Sequence, residues 1–136
     1  MLYTVSPVRH LKDGFVENQQ SKSHLITAIH QVVANQTAFT SYFPSYEIMV
    51  DELRDYRFYK DDMIHPSTVA INYIWEKFQY SWIEKQASEL MKDIDVVQKG
   101  MAHKPFTPAS KKHKDFLKKL EEKKVALKNK YPHFKF

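Results

Sequence analysis

The sequence has 136 residues, 43% of them hydrophobic and 27% charged, which suits a soluble globular chain with a modest core and excludes a disordered one. No run approaches the ~20 apolar residues that span a bilayer, and the absence of cysteine excludes disulfides, thiol catalysis and thiolate metal sites, as fits a reducing cytoplasm. Two glycines, Gly14 and Gly100, are too few for a phosphate-cradling loop, a dinucleotide fingerprint or a GxSxG nucleophile elbow. The net charge of +5 is concentrated at one end: from Lys104 onward 11 lysines face three acids, a net +8, which leaves −3 for the first 103 residues.

The opening MLYTVSPVRH lacks the basic start, long apolar stretch and small-residue cleavage site of a signal peptide. Within it, Leu2 to Val5 is a short β-branched and apolar run stopped by Ser6-Pro7, which predicts a strand. A polar loop, Ser6 to Gly14, follows and carries Arg9 and His10. From about Asn18 to Asn35, Leu25, Ala28, Ile29, Val32 and Val33 recur at helical spacing. Phe39 to Phe43, closed by Pro44, predicts a second strand. Strand, helix, strand in this order predicts a βαβ unit with a parallel sheet.

A short helix is expected over Tyr46 to Leu53, with Ile48, Met49 and Leu53 inward. Asp51 to Asp62 mixes acids, bases and aromatics and reads as a solvated loop with its aromatics packed beneath. A residue before proline is pushed out of the helical region and proline favours the first helical position. Asp62 to His65 is therefore expected in a loop, with a helix starting at Pro66 and carrying Val69, Ala70, Tyr73, Ile74, Phe78 and Trp82. Beyond it Ile83, Ala87, Leu90, Ile94, Val97 and Met101 step by four and three residues, as in a coiled-coil seam. After the break Pro105 to Pro108, Phe116, Leu117, Leu120, Leu127 and Tyr131 complete the pattern of an antiparallel helical hairpin. The boundary between the α/β part (residues 1–82) and the hairpin (residues 83–136) is placed after Trp82.

Asp62-x-x-His65 sets a carboxylate three residues before an imidazole. In hydrolytic triads such a carboxylate fixes the tautomer of the imidazole and stabilises the imidazolium that forms. Arg9 and His10 follow the first strand, and ligands of open parallel sheets bind beyond the C-terminal strand ends. Both are therefore expected to face the same crevice as His65, as candidate substrate-binding residues; for Arg9 the alternative is pairing with a local carboxylate. The nine lysines between 111 and 130 lie around most of the last helix, without the aromatic interleaving that stacks bases, and read as a solvated face. The alternative function is a non-catalytic binding or interaction module, in one form nucleic-acid binding through that helix. His103 and His113 lack a companion carboxylate cluster, so no metal site is expected, and no cofactor either.

Several ordered strings resemble the GSCFA family. They are Thr4 to His10, Val16 to Gln19, Tyr42 to Met49, Asp51 to Tyr59, Asp62-Met63-Ile64-His65-Pro66, Tyr73 to Glu76, His103 to Phe106 and His113 to Phe116. The resemblance implies an SGNH-hydrolase-like fold, a three-layer α/β/α sandwich with parallel strands, here its C-terminal part followed by the hairpin. It implies ester hydrolysis or acyl transfer on a small molecule or glycan, with His65 as general base and Asp62 as its orienting carboxylate. The family's Gly-Ser-Cys-Phe-Ala motif, which carries the serine, does not occur in this sequence, and Ser6, Ser41, Ser45 and Ser67 do not stand in a nucleophile context. The chain is thus expected to be a portion of such an enzyme, inactive alone, with a sheet edge open to self-association.

Overall fold

The computed structural model describes residues 1–36 and 38–136. The chain forms two compact units, Met1–Trp82 and Ile83–Phe136. Its class is mixed α/β and mostly helical, and among the described residues the sheet has two strands. A three-layer sandwich goes beyond these elements.

In the N-terminal unit, β1 (Leu2–Thr4) and β2 (Ser41–Phe43) pair in parallel, Leu2 opposite Ser41 and Thr4 opposite Phe43. The connection is α1 (Phe15–Asn35), which starts three residues earlier than its apolar periodicity suggests. Gly14 sets that start. Its φ of 109° lies where a side chain is strained, and a Cβ there would meet Glu17 at 2.5 Å. Both strands are shorter than their apolar runs: Val5 is buried beyond the end of β1, and Phe39 lies ahead of β2 and is exposed.

After Pro44 a single turn, α2 (Ser45–Glu47), widens into a π-helical stretch, Ile48–Glu52, where the Leu53 amide donates to the carbonyl of Ile48. The wider turn aims Ile48, Met49 and Leu53 at one point, and with Phe43 and Ala70 they form the core of this unit. A 3₁₀ turn at Tyr56–Phe58 leads into the loop that carries Asp62 and His65. The next helix, α3 (Thr68–Trp82), begins two residues later than Pro66. Pro66 is extended instead, bridged to Tyr59, and Ser67 caps the helix through the amide of Ala70. Phe78 of α3 meets Phe43 edge to face, closing the core from the other side.

The C-terminal unit is a hairpin of α4 (Lys85–Ala102) and α5 (Lys111–Lys130). Asp93 pairs with Lys123, Gly100 faces Leu120, and the His103 ring meets Phe116, so the two helices run antiparallel. Val97 and Leu127 are its buried residues. Of the expected seam, Ala87 and Met101 are exposed. A Cβ on Gly100 would stand 2.6 Å from a Leu120 methyl, so Gly100 lets the helices come close. Gly100→Val should lower the stability of this unit by about 1–3 kcal/mol through overpacking. Thermal unfolding followed by circular dichroism checks it; an unchanged transition would mean that the close approach is absent in solution.

Much apolar surface stays uncovered. The chain exposes 10508 Å², whereas two separate compact bodies divided at Trp82 would expose roughly 9,000 Å² together. In α1 the buried residues are Asn18 and Lys22, while Leu25 and Val32 are exposed. Of the expected inward residues, Ile29 and Val33 are half-buried while Leu25, Ala28 and Val32 are exposed: α1 packs on a sheet of two strands, which among the described residues leaves much of its apolar stripe uncovered.

Candidate functional site

The loop between Tyr59 and Pro66 is held at its base by two backbone bonds, from the amide of Lys60 to the carbonyl of His65 (2.8 Å) and from that of Ser67 to the carbonyl of Phe58 (2.7 Å). At its tip Met63 takes a φ of 59°, a left-handed conformation uncommon outside glycine, asparagine and aspartate. Asp62 holds that bend. Its Oδ1 accepts the amides of Ile64 (2.8 Å) and His65 (2.9 Å).

The second oxygen of the same carboxylate, Oδ2, lies 2.7 Å from Nδ1 of His65. Hydrogen bonds from the His65 and Ile64 amides, then from the His65 ring, hold the Asp62 pKa down to about 2. Asp62 is therefore an anion at neutral pH and can only accept, so Nδ1 carries the proton and Nε2 offers its lone pair. Both side chains are about half exposed, and among the described residues no hydrogen bond reaches Nε2. This is an imidazole with fixed tautomer and orientation, open on its basic side.

The two residues after β1 have different surroundings. Arg9 reaches the loop: its amide donates to the carbonyl of Ile64, and its Nη1 to that of Met63, both at 3.4 Å. Its guanidinium lies 4.4 Å from the centre of the Tyr59 ring. His10, against expectation, does not face the His65 crevice: its amide is bonded to Asn18 Oδ1 (3.0 Å) and its ring lies 4.0 Å from Asp13, which draws it toward the start of α1. Three nearby serines hold structural bonds: Ser45 donates to the carbonyl of Val5, Ser6 accepts the amide of Val8, and Ser67 caps α3.

Two features of this region leave almost no mark in the sequence. Asn18 and Lys22, one turn apart on α1, clamp the Ser6 to His10 segment, Lys22 by donating to the carbonyl of Ser6 at 2.8 Å. Burial lowers the pKa of Lys22. Arg9, Arg54, Asp55, Tyr56 and Tyr59 line a cavity of about 210 Å³ floored by Met49 and Val50. Its only trace in the sequence is the alternation of bases and aromatics from Arg54 to Tyr59, and Arg9 comes from a different segment.

Among the described residues no helix is long and apolar enough to cross a membrane. The model of the GSCFA family matches residues 1–78, and that of the GSCFA domain protein, C-terminal domain, matches residues 94–136. No curated protein and no solved structure matches the chain.

Proposed function

The chain belongs to the GSCFA family, and from that premise we propose that it supplies the acid–base half of a Ser-His-Asp triad acting on an acyl ester of a small molecule or glycan. The observation that carries this reading is the Asp62–His65 contact, 2.7 Å long and made by a carboxylate whose other oxygen is fixed by two backbone amides. His65 Nε2 takes the proton of a serine hydroxyl as the oxygen attacks the ester carbonyl. It then returns that proton to the leaving alcohol, and Asp62 stabilises the imidazolium between the two steps. A water, deprotonated by the same nitrogen, then attacks the acyl carbon; the acyl–serine bond breaks, the imidazolium returns the proton to the serine oxygen, and the acid leaves.

The serine and the oxyanion donors come from a segment bearing the Gly-Ser-Cys-Phe-Ala motif, which this sequence does not contain. With that segment in place the fold is a three-layer sandwich. The exposed part of the α1 stripe, Leu25, Ala28 and Val32, supports this reading. So does an apolar groove of about 340 Å³, lined by Phe43, Ile71, Ile74, Trp75 and Phe78, where further strands and helices would pack. Without the segment, the same faces and the free edge of β1 favour pairing with a second copy.

The test is ester turnover. The purified chain should release no product from an aryl acetate above a His65→Ala control. Joined to a Gly-Ser-Cys-Phe-Ala segment from another family member, it should turn over the ester in a His65-dependent way. His65-dependent turnover by the chain alone, or none from a folded joined protein, would overturn the shared-triad reading.

A further inference from the structure

The 210 Å³ cavity beside the Asp62–His65 loop holds two guanidinium groups whose charge is poorly matched. Arg9 forms no ion pair among the described residues; it lies over Tyr59, 5.9 Å from the centre of the Tyr56 ring, and spends one N–H on the Met63 carbonyl. Arg54 stands 4.0 Å from Asp51, and both side chains are mostly exposed, so that contact neutralises little. The one carboxylate in the lining, Asp55, is turned to Arg57: Oδ1 accepts the Arg57 amide at 2.8 Å, and Oδ2 lies 3.6 Å from the Arg57 Nε. The cavity is thus cationic, walled by two tyrosine rings and floored by Met49 and Val50.

We infer that this cavity is a binding subsite for an anionic sugar, its carboxylate or phosphate held between Arg9 and Arg54 and its ring laid on Tyr56. Guanidinium groups offer paired N–H donors that match a planar carboxylate or a phosphate face. Tyrosine faces suit the C–H surface of a pyranose, and the cavity is about the size of one such ring. Tyr56 is 65% exposed, so most of its ring surface is left free by this unit's own packing. Arg9 also bonds the backbone of Met63 and Ile64, so a sugar seated here lies next to the loop that orients His65. The inference deepens the acyl-ester reading, on which its place in the reaction rests, by naming the substrate as an acylated acidic saccharide.

Binding is measured first, without catalysis. Glucuronate, glucose 6-phosphate, glucose and inorganic phosphate are titrated into the chain, with tyrosine ring and arginine side-chain resonances followed by NMR. Saturable shifts at Tyr56, Tyr59 and Arg54 are expected with glucuronate or glucose 6-phosphate, whichever headgroup the site takes, and none with glucose. Inorganic phosphate should bind more weakly than glucose 6-phosphate, because it lacks the ring. Arg54→Gln, at an exposed position that should leave the fold intact, should weaken binding about tenfold, the worth of one charge-assisted hydrogen bond. Tyr56→Ala should weaken both sugars and spare inorganic phosphate. Equal shifts with glucose, no saturable shift with either anion, or full affinity in Arg54→Gln would overturn the subsite. In the joined enzyme, Arg54→Gln should raise KM for an acetylated glucuronate and leave kcat unchanged. Anion binding without any turnover would leave the subsite standing and refute the catalytic reading. Turnover of neutral esters without anion binding would do the reverse.

Discussion

Asp62→Asn should lower kcat of the joined enzyme by roughly 10³–10⁴-fold with KM little changed, as expected when a triad imidazole is held in the wrong tautomer. Asparagine keeps an oxygen that can accept the amides of Ile64 and His65, so the loop retains its shape. Its amide nitrogen, set where Oδ2 now meets Nδ1 of His65, is a donor. The imidazole must then accept at Nδ1 and carry its proton on Nε2, where a base is needed. Asp62→Glu is the complementary variant: it keeps the charge but displaces it by one methylene, so both loop and activity suffer. Full activity of Asp62→Asn would remove Asp62 from the mechanism. The loop itself reports on acid. The Asp62 pKa is held below its ordinary 3.8, at about 2, so its contribution to loop order is complete above pH 4 and is lost as pH falls through 2. The amide shifts of Ile64 and His65 should follow that titration, and a midpoint near 4 would show that these bonds do not form in solution.

Met49→Ala should destabilise the N-terminal unit by about 2–5 kcal/mol, enough to leave a small unit largely unfolded at 37 °C. Met49 is fully buried, at the centre of the cluster with Phe43, Ile48, Leu53 and Ala70. The π-helical stretch Ile48–Glu52 that presents it has no slack to close over a cavity, because the Leu53 amide is bonded back to the carbonyl of Ile48 at 2.9 Å. Met49→Leu, close in volume, should cost less than about 1.5 kcal/mol. Urea unfolding followed by tryptophan fluorescence reads the change, since the Trp75 ring stacks on Phe78 beside this cluster. Equal midpoints for the alanine variant and the parent would place the core elsewhere.

The elements were legible where the signal is local. Leu2 to Val5, the apolar spacing through α1 and the His65-Pro66 step each located an element to within a few residues. Asp62 and His65 could be read as a contacting pair because three residues of loop bring a carboxylate to an imidazole without help from the rest of the chain. What could not be read depends on partners distant in sequence. Periodicity shows that Leu25 and Val32 share a stripe, not that anything covers it, and it gives no reason to bury Lys22. That burial follows from the carbonyl of Ser6, 2.8 Å from the lysine nitrogen. The π-helical turn left no mark, since Ile48, Met49 and Leu53 fit an ordinary helix equally well. Arg54 and Tyr56 gained meaning once the fold set them beside Arg9, 45 residues or more away.

The sparse apolar burial of α1 has a thermal consequence. Heat capacity rises on unfolding in proportion to the apolar surface newly given to water, and falls with the polar surface. A helix that buries Asn18 and Lys22, only half-buries Ile29 and Val33, and leaves Leu25 and Val32 in solvent adds little to that rise. The N-terminal unit should therefore gain less than the ~1 kcal/mol/K usual for about 80 residues. Its stability curve is then shallow, so cooling strengthens it little and warming weakens it slowly. Covering the α1 stripe with further chain would steepen that curve as well as raise it.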